Sequence, residues 1–299
     1  MTTYTTDIQP NGILAFRGPD SIKFLQGQTT CHLDELTDTN AIYGAFCNPK
    51  GRIKTTFLLL KESDEDLLML VDKQQIDYVR DELKMYIAFF KSEITDLTDD
   101  YRLIGALNGN EDNHSGVATF SLTRSDDRIT ISIPGSSNRS LILLSNTVAD
   151  ELQLNITQTN QWYLEDIQAG LIWTSEAERE KFLPHDINLP GLGGVSYDKG
   201  CYTGQEIVAR MHYRGNPKYT TAVLTTTNPE VVFESPLKAE ISPDKVKSIG
   251  HPVGNAISDG ENTIILASIV KDVLEQQEIK LSIQKERTIL CSINKPNLG

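Results

Sequence analysis

The sequence is poor in cysteine, in positive charge and in long apolar runs, and each shortage excludes a class of protein. Its four cysteines, at 31, 47, 201 and 291, form neither a CxxC pair nor a CxxH. That scatter argues against a disulfide scaffold, a structural zinc site and a four-cysteine iron–sulfur cluster within one chain, and leaves open a cluster shared between chains. Lys and Arg number 28 against 41 Asp and Glu, a formal charge of −13 with a pI near 4.9. Proteins that grip nucleic acid use basic patches to displace counterions, so direct tight nucleic-acid binding is not expected of so acidic a chain. No apolar run is long enough to cross a bilayer. The opening MTTYTTDIQPNG has neither the basic nor the apolar region of a secretory leader, so a cytoplasmic protein without a membrane partner is expected. There is no repeat of solenoid period and no low-complexity tract.

What is present is an alternation of short apolar strands with a few helices. At 299 residues the chain exceeds the usual size of one core. GILAFRG reads as a strand and PDSIKFLQGQ as a helix; AIYGAFC and RIKTTFLLL flank an NPKG turn in which Pro49 presets φ and Gly51 relieves the return. After the strand LLMLVD, Ile76, Val79, Leu83, Tyr86, Ile87 and Phe90 recur at helical spacing, and the aromatics Tyr86, Phe89 and Phe90 read as core. The polar GNEDNHS reads as a surface loop, with His114 solvated. VATFSL, RITISI and SLILLS read as strands, NTVADELQ and QWYLEDIQAG as helices, and Trp162 by spacing alone as a core aromatic. From Tyr219 onward closely spaced short strands imply a small antiparallel barrel. The pattern as a whole is α+β, with regions at 1–110, 111–218 and 219–299.

Residues 197–218, YDKGCYTGQEIVARMHYRGNPK, hold the densest chemistry. Thr203 and Glu206 stand at capping-box spacing ahead of Ile207 and Val208, which places Cys201 just before a helix N-terminus. The helix dipole and the charge of Lys199 would favour a thiolate there. Gly200 and Gly204 permit a sharp turn or a close approach. A free cysteine ordinarily packs as a small hydrophobe, and only this setting raises a reactive sulfur to an equal alternative. Arg210 and Arg214 share a face and suit carboxylates, although Arg210 stands one turn after Glu206 and could simply pair with it.

KGCYTGQE, together with FLQGQTT (24–30), NPKGR (48–52), WYLEDIQAG (162–170) and NLPGLGG (188–194), resembles the YgfZ family, folate-binding proteins related to the aminomethyltransferase (T-protein) of the glycine cleavage system. The resemblance implies T-protein-like mixed α/β subdomains around a central cavity, followed by a C-terminal barrel. It implies a site for tetrahydrofolate or a derivative bordered by Trp162, with Tyr202, Gln205 and Arg214 as further contacts. It also implies a catalytic pair, Cys201 tuned by Lys199, in a loop shaped by Gly200, Thr203, Gly204 and Glu206. Such a protein would support iron–sulfur cluster synthesis or repair and, downstream, tRNA methylthiolation, with assembly factors or client iron–sulfur enzymes as partners. Two departures from the pattern bear on chemistry: His32 and Gln168 stand where the related pattern carries acids. A folate-dependent aminomethyl transferase needs such an acid to move protons, so conventional transfer is the lesser alternative. The other is an interaction protein with a vestigial folate pocket, docking partners around Tyr202 or Arg214.

Overall fold

Leucine-rich strands that are apolar on both faces need cover on both faces, and that requirement sets the frame of the molecule. A computed structural model describes residues 2–6, 8–108, 120–135, 138–152, 154–228, 231–242, 245–283 and 287–297. The first part runs through strands β1 (Thr3–Thr5) and β2 (Gly12–Arg17), helix α1 (Ser21–Gln26), strands β3 (Asn40–Cys47), β4 (Ile53–Lys61) and β5 (Leu67–Val71), helix α2 (Ile76–Ile87), and strands β6 (Glu93–Asp96) and β7 (Tyr101–Asn108). It continues through β8 (Phe120–Ser125), β9 (Arg128–Ile133), β10 (Asn138–Ser145) and helices α3 (Asn146–Glu151) and α4 (Gln161–Ala169). The ten strands form one sheet in the order β1-β7-β10-β9-β8-β3-β4-β5-β2-β6. Its two halves meet at β3 and β8 through the pairs Asn40↔Ser121 and Ala41↔Phe120. The GNEDNHS loop with His114 and the start of VATFSL lie outside the described residues.

Period-two alternation sorts the strand residues between two cores. Leu58, Leu60, Leu68 and Leu70 join Trp162, Tyr43 and Trp173 on one face. Phe57, Leu59, Leu67 and Met69 face the other way, under Phe24 of α1 and Val79 and Leu83 of α2. Helix α2 buries Ile76, Val79, Leu83 and Ile87, a stripe at helical spacing. Tyr86 and Phe89 fall off that stripe and are 47% and 87% exposed, so the expected aromatic core reduces to Phe90, whose ring lies 5.2 Å from that of Phe24.

Helix α5 (Gln205–Arg214) leads into strands β11 (Tyr219–Thr226), β12 (Leu237–Ser242), β13 (Lys245–Ser258) and β14 (Thr263–Val270), helix α6 (Lys271–Leu274), and strands β15 (Glu278–Ile283) and β16 (Arg287–Asn294). The six strands close in the order β11-β14-β13-β12-β15-β16 around a core of their own, which includes Cys291. Val223, Val253, Ile264 and Leu266 of the barrel pack in one core with Leu171, Trp173 and Ile187, and hydrogen bonds join the two parts: Ser268 donates to the Asp186 carbonyl at 2.8 Å, and Gly254 N–H donates to Glu178 at 3.3 Å. Between them the barrel and α4 leave a cavity.

Candidate functional site

Four of the motifs far apart in the chain meet at one point, and a lysine holds them. Lys199 is 8% exposed, and its ammonium donates to the carbonyls of Gln26, Thr29 and Cys31 at 2.8, 2.7 and 2.6 Å. Burial lowers its pKa to about 8, while three carbonyl acceptors favour the charged form. Beside it Thr30 donates from its hydroxyl to the Gly194 carbonyl at 2.6 Å and accepts from Ala45 N–H at 2.9 Å, while Ser196 N–H donates to the Thr30 carbonyl at 2.9 Å. The FLQGQTT, NLPGLGG and KGCYTGQE segments are thus clasped together. The NPKGR turn completes the group. Asn48 closes it by accepting from Lys50 and Arg52 N–H at 2.9 and 3.0 Å. Gly204, at φ +85°, then approaches so closely that a Cβ there would meet the Asn48 carbonyl at 2.4 Å and Gly51 Cα at 2.9 Å.

This geometry corrects three expectations about the loop. Lys199 directs its ammonium to the carbonyls of the 26–31 segment and makes no hydrogen bond to Cys201. Thr203 and Glu206 do not form a capping box: left-handed Gly204 is the N-cap of α5 and no side chain caps it. Glycine has no side chain to cap with, and with Gly204 at the N-cap Thr203 falls before the helix and Glu206 at its second position, one residue out of register for the box. Cys201 consequently lies four residues ahead of the first helical residue, in an exposed loop. Gly200, unlike Gly204, has open space where a Cβ would go, so nothing steric demands glycine there. The other three cysteines are buried, and burial pushes Cys31 up to about 11 and Cys47 and Cys291 up to about 12.

The residues expected around a folate do not come together. Trp162 is 1% exposed and packed into the core: its indole N–H donates to the Gln9 carbonyl at 3.2 Å, Arg139 lies 4.9 Å over its ring, and Gly105 leaves it just enough room. Tyr202 is buried with the Lys199 ammonium 5.2 Å from its ring centre, Gln205 is half-buried, and Arg214 lies on the outer face of α5. His32 caps a turn by accepting from Asp34 N–H at 3.2 Å. Among the described residues, no group of three or more His, Cys, Asp or Glu is placed to hold a metal ion, and no helix is long and apolar enough to cross a membrane.

The cavity between α4 and the barrel has a volume of about 320 Å³. Its aromatic wall is Trp173, joined by Tyr163, Ile167, Val253 and Leu266. A bulge in β13 between Val253 and Ile257 brings Gly254 and Asn255 to it. The Trp173 segment is rigidly set: Thr56 and Thr174 exchange backbone-to-hydroxyl bonds at 2.8 and 3.1 Å, and the Tyr43 ring meets Trp173 edge-on at 5.6 Å. Asp166 lies at the cavity's base, 2.7 Å from the Arg139 guanidinium. Burial raises its carboxyl to about 6 against the pull of Arg139 and the Trp173 indole. The Trp173 N–H is buried without a hydrogen bond of good geometry. Sequence reasoning missed Trp173 and Asp166, and WYLEDIQAG held half of the signal.

A second cluster also escaped it. Tyr197 stacks on His212 at 3.7 Å and its hydroxyl lies 3.1 Å from His185 Nε2, tying the signature loop to the end of α5. Burial, then His212 and Lys271, lowers the pKa of His185. Nothing in the spacing of these residues announces the contact.

Residues 3–111 match the family of the GCVT N-terminal domain. Over its fold the chain is similar to the glycine cleavage system aminomethyltransferase T from Bartonella henselae, with a TM-score of 0.75 at 13% identity, covering 98% of this chain and 85% of that one. It is 26% identical to the tRNA-modifying protein YgfZ of Blochmanniella pennsylvanica, over 90% of this chain and 88% of that protein. Against the tRNA-modifying protein YgfZ of Vibrio atlanticus the identity is 30%, over 75% of this chain and 71% of that protein. A fold shared with the aminomethyltransferase, and identity at that level and coverage to proteins named YgfZ, lead to one conclusion: the chain belongs to the YgfZ family.

Proposed function

We propose that this protein is a folate-binding accessory factor that supports the synthesis or repair of iron–sulfur clusters and, through client enzymes, tRNA modification. Its relatives are named for tRNA modification. The observation that carries the reading is the state of the thiols: three are buried, while Cys201 stands exposed on a loop clasped by Lys199. A thiol meant to meet a partner's cluster or a sulfur species needs access and a fixed position.

The α4–barrel cavity suits the flat rings of a folate. Its volume of about 320 Å³ falls within the range of ligand pockets, about 300–1,000 Å³. Trp173 and Tyr163 would stack on or edge the rings. A reduced folate, when bound, supplies a one-carbon carrier; this chain's part is to bind and orient it, and Cys201 works from a separate surface.

The test is complementation of a strain lacking its own YgfZ with the Cys201→Ala variant. Methylthiolated tRNA and iron–sulfur enzyme activity should both fall to the level of the empty strain, while calorimetry shows tetrahydrofolate bound as before. Wild-type methylthiolation in the variant refutes the thiol role, and absence of folate binding by the wild-type protein refutes the cofactor.

A further inference from the structure

The outer face of α5 is basic and aromatic in an otherwise acidic molecule. Residues 207–229 contain no Asp or Glu, although the chain carries 41 of them, and they include Arg210, Arg214 and Lys218. All three cations are exposed, and among the described residues none makes an ion pair. Arg210, Tyr213 and Arg214 stand at i, i+3 and i+4 and border one shallow groove with Ala209 and Glu206. Tyr213 is 65% exposed. Its ring is braced from one side, edge-on to His212 at 4.8 Å and to Tyr197 at 6.0 Å, so it is a fixed platform with an open face. The same helix begins where the Cys201 loop ends, against the turn that exposes Lys50.

We propose that this face binds a single-stranded or loop segment of RNA, with backbone phosphates on Arg210 and Arg214 and a base stacked on Tyr213. Guanidinium groups one helical turn apart suit successive phosphates, and a rigid aromatic ring between them takes a base without regard to its identity. An acidic protein would use the arginines but would leave the open ring of Tyr213 without purpose. The net charge of −13 opposes a polyanion everywhere else, so binding is weak, local and strongly dependent on salt. This goes beyond the accessory role by giving the chain its own contact with RNA, and it depends neither on folate nor on Cys201.

The experiment is fluorescence anisotropy of the full chain with labelled bulk tRNA and with a labelled unstructured oligoribonucleotide, at several salt concentrations. With two or three phosphates engaged, log K should fall with log salt at a slope of roughly −2. The double variant Arg210→Glu, Arg214→Glu should lose about ten-fold or more in affinity and most of that slope. Tyr213→Ala should lose roughly ten-fold while keeping the slope, because stacking is not a charge effect. The double variant Lys84→Glu, Lys247→Glu, at exposed sites away from this face, makes the same change in net charge and is the control for charge alone. If Tyr213→Ala binds as the wild type, or if polyglutamate competes as well as RNA does, the face is a generic polyanion or acidic-protein site and the proposal fails. If the arginine variant misfolds, the Tyr213→Ala result and the wild-type salt slope still decide. Loss of RNA binding in either variant with normal behaviour of Cys201→Ala in the same assay separates this proposal from the thiol role.

Discussion

Replacing Lys199 with methionine removes a charge but keeps most of the volume, and the structure fixes what should follow. The ammonium serves three carbonyls, those of Gln26, Thr29 and Cys31, at 2.6–2.8 Å. A hydrogen bond to a charged group contributes about 1.5–3 kcal/mol net, and a buried carbonyl left without a partner costs about 1–3 kcal/mol. Removing a buried cation also ends its own desolvation cost, so the sum is smaller than three full bonds. A loss of about 2–5 kcal/mol is expected. It should be local, because Lys199 joins its own loop to the last residue of α1 and the turn after it, and to no strand of either sheet. In a chain with several cores global unfolding need not be two-state, so hydrogen exchange is the better assay. Amides in 26–31 and 194–203 should exchange at least ten-fold faster in Lys199→Met, with the barrel unaffected. Lys199→Arg should not rescue, since a planar fork cannot point three donors at one cradle. If Lys199 instead served Cys201, alkylation of that thiol would slow and the 26–31 amides would not change; that pair of results refutes the clasp.

Gly204→Ala should cost more than about 2 kcal/mol in urea unfolding, from left-handed strain plus a clash with the Asn48 carbonyl, and Gly200→Ala should fall within about 0.5 kcal/mol of wild type; equal effects would contradict the assigned backbone. A disulfide reagent should titrate one thiol rapidly in the native protein and four after unfolding, with the fast phase absent in Cys201→Ser. Trp162→Phe should destabilise by about 2–3 kcal/mol and leave folate affinity intact, whereas Trp173→Phe should weaken folate binding; the reverse pattern would return the ligand to Trp162. The Asp166 carboxyl, with its folded value near 6, binds more protons in the native than in the unfolded chain between about pH 4 and 6, so its contribution to stability falls as pH rises through that window. Asp166→Asn should abolish a fall of order 3 kcal/mol, about two pKa units at about 1.4 kcal/mol each, and equal pH profiles would refute the shift.

Much of the fold is legible because it rests on local periodicity. The stripe Ile76, Val79, Leu83 and Ile87 marks α2, and the alternation in β4 assigns Leu58 and Phe57 to opposite cores. What periodicity does not give is which neighbour covers a side chain. Tyr86 and Phe89 sit beside the α2 stripe, and whether they are covered depends on elements elsewhere in the chain, which leave them in solvent. Trp162 and Trp173 are similar residues close in sequence. The first is sealed by Gly105 and Gln9, the second borders the cavity because a barrel bulge stops short of it, and neither Gly105 nor the bulge is adjacent in the chain.

The signature loop shows the same limit more sharply. Thr203 and Glu206 have the spacing of a cap, but Gly204 between them takes a left-handed conformation because the NPKGR turn presses against it. A contact of long sequence separation therefore overrides a local motif. Lys199 invites pairing with the cysteine two residues away, yet its side chain is long enough to reach a different loop, and three carbonyls there bind an ammonium better than one exposed sulfur can. The motif's Gly204 and Lys199 are accounted for by holding the backbone, and neither lines the cavity. The exposed thiol of Cys201 is carried on the loop that this clasp fixes, and the role proposed for it rests on that placement.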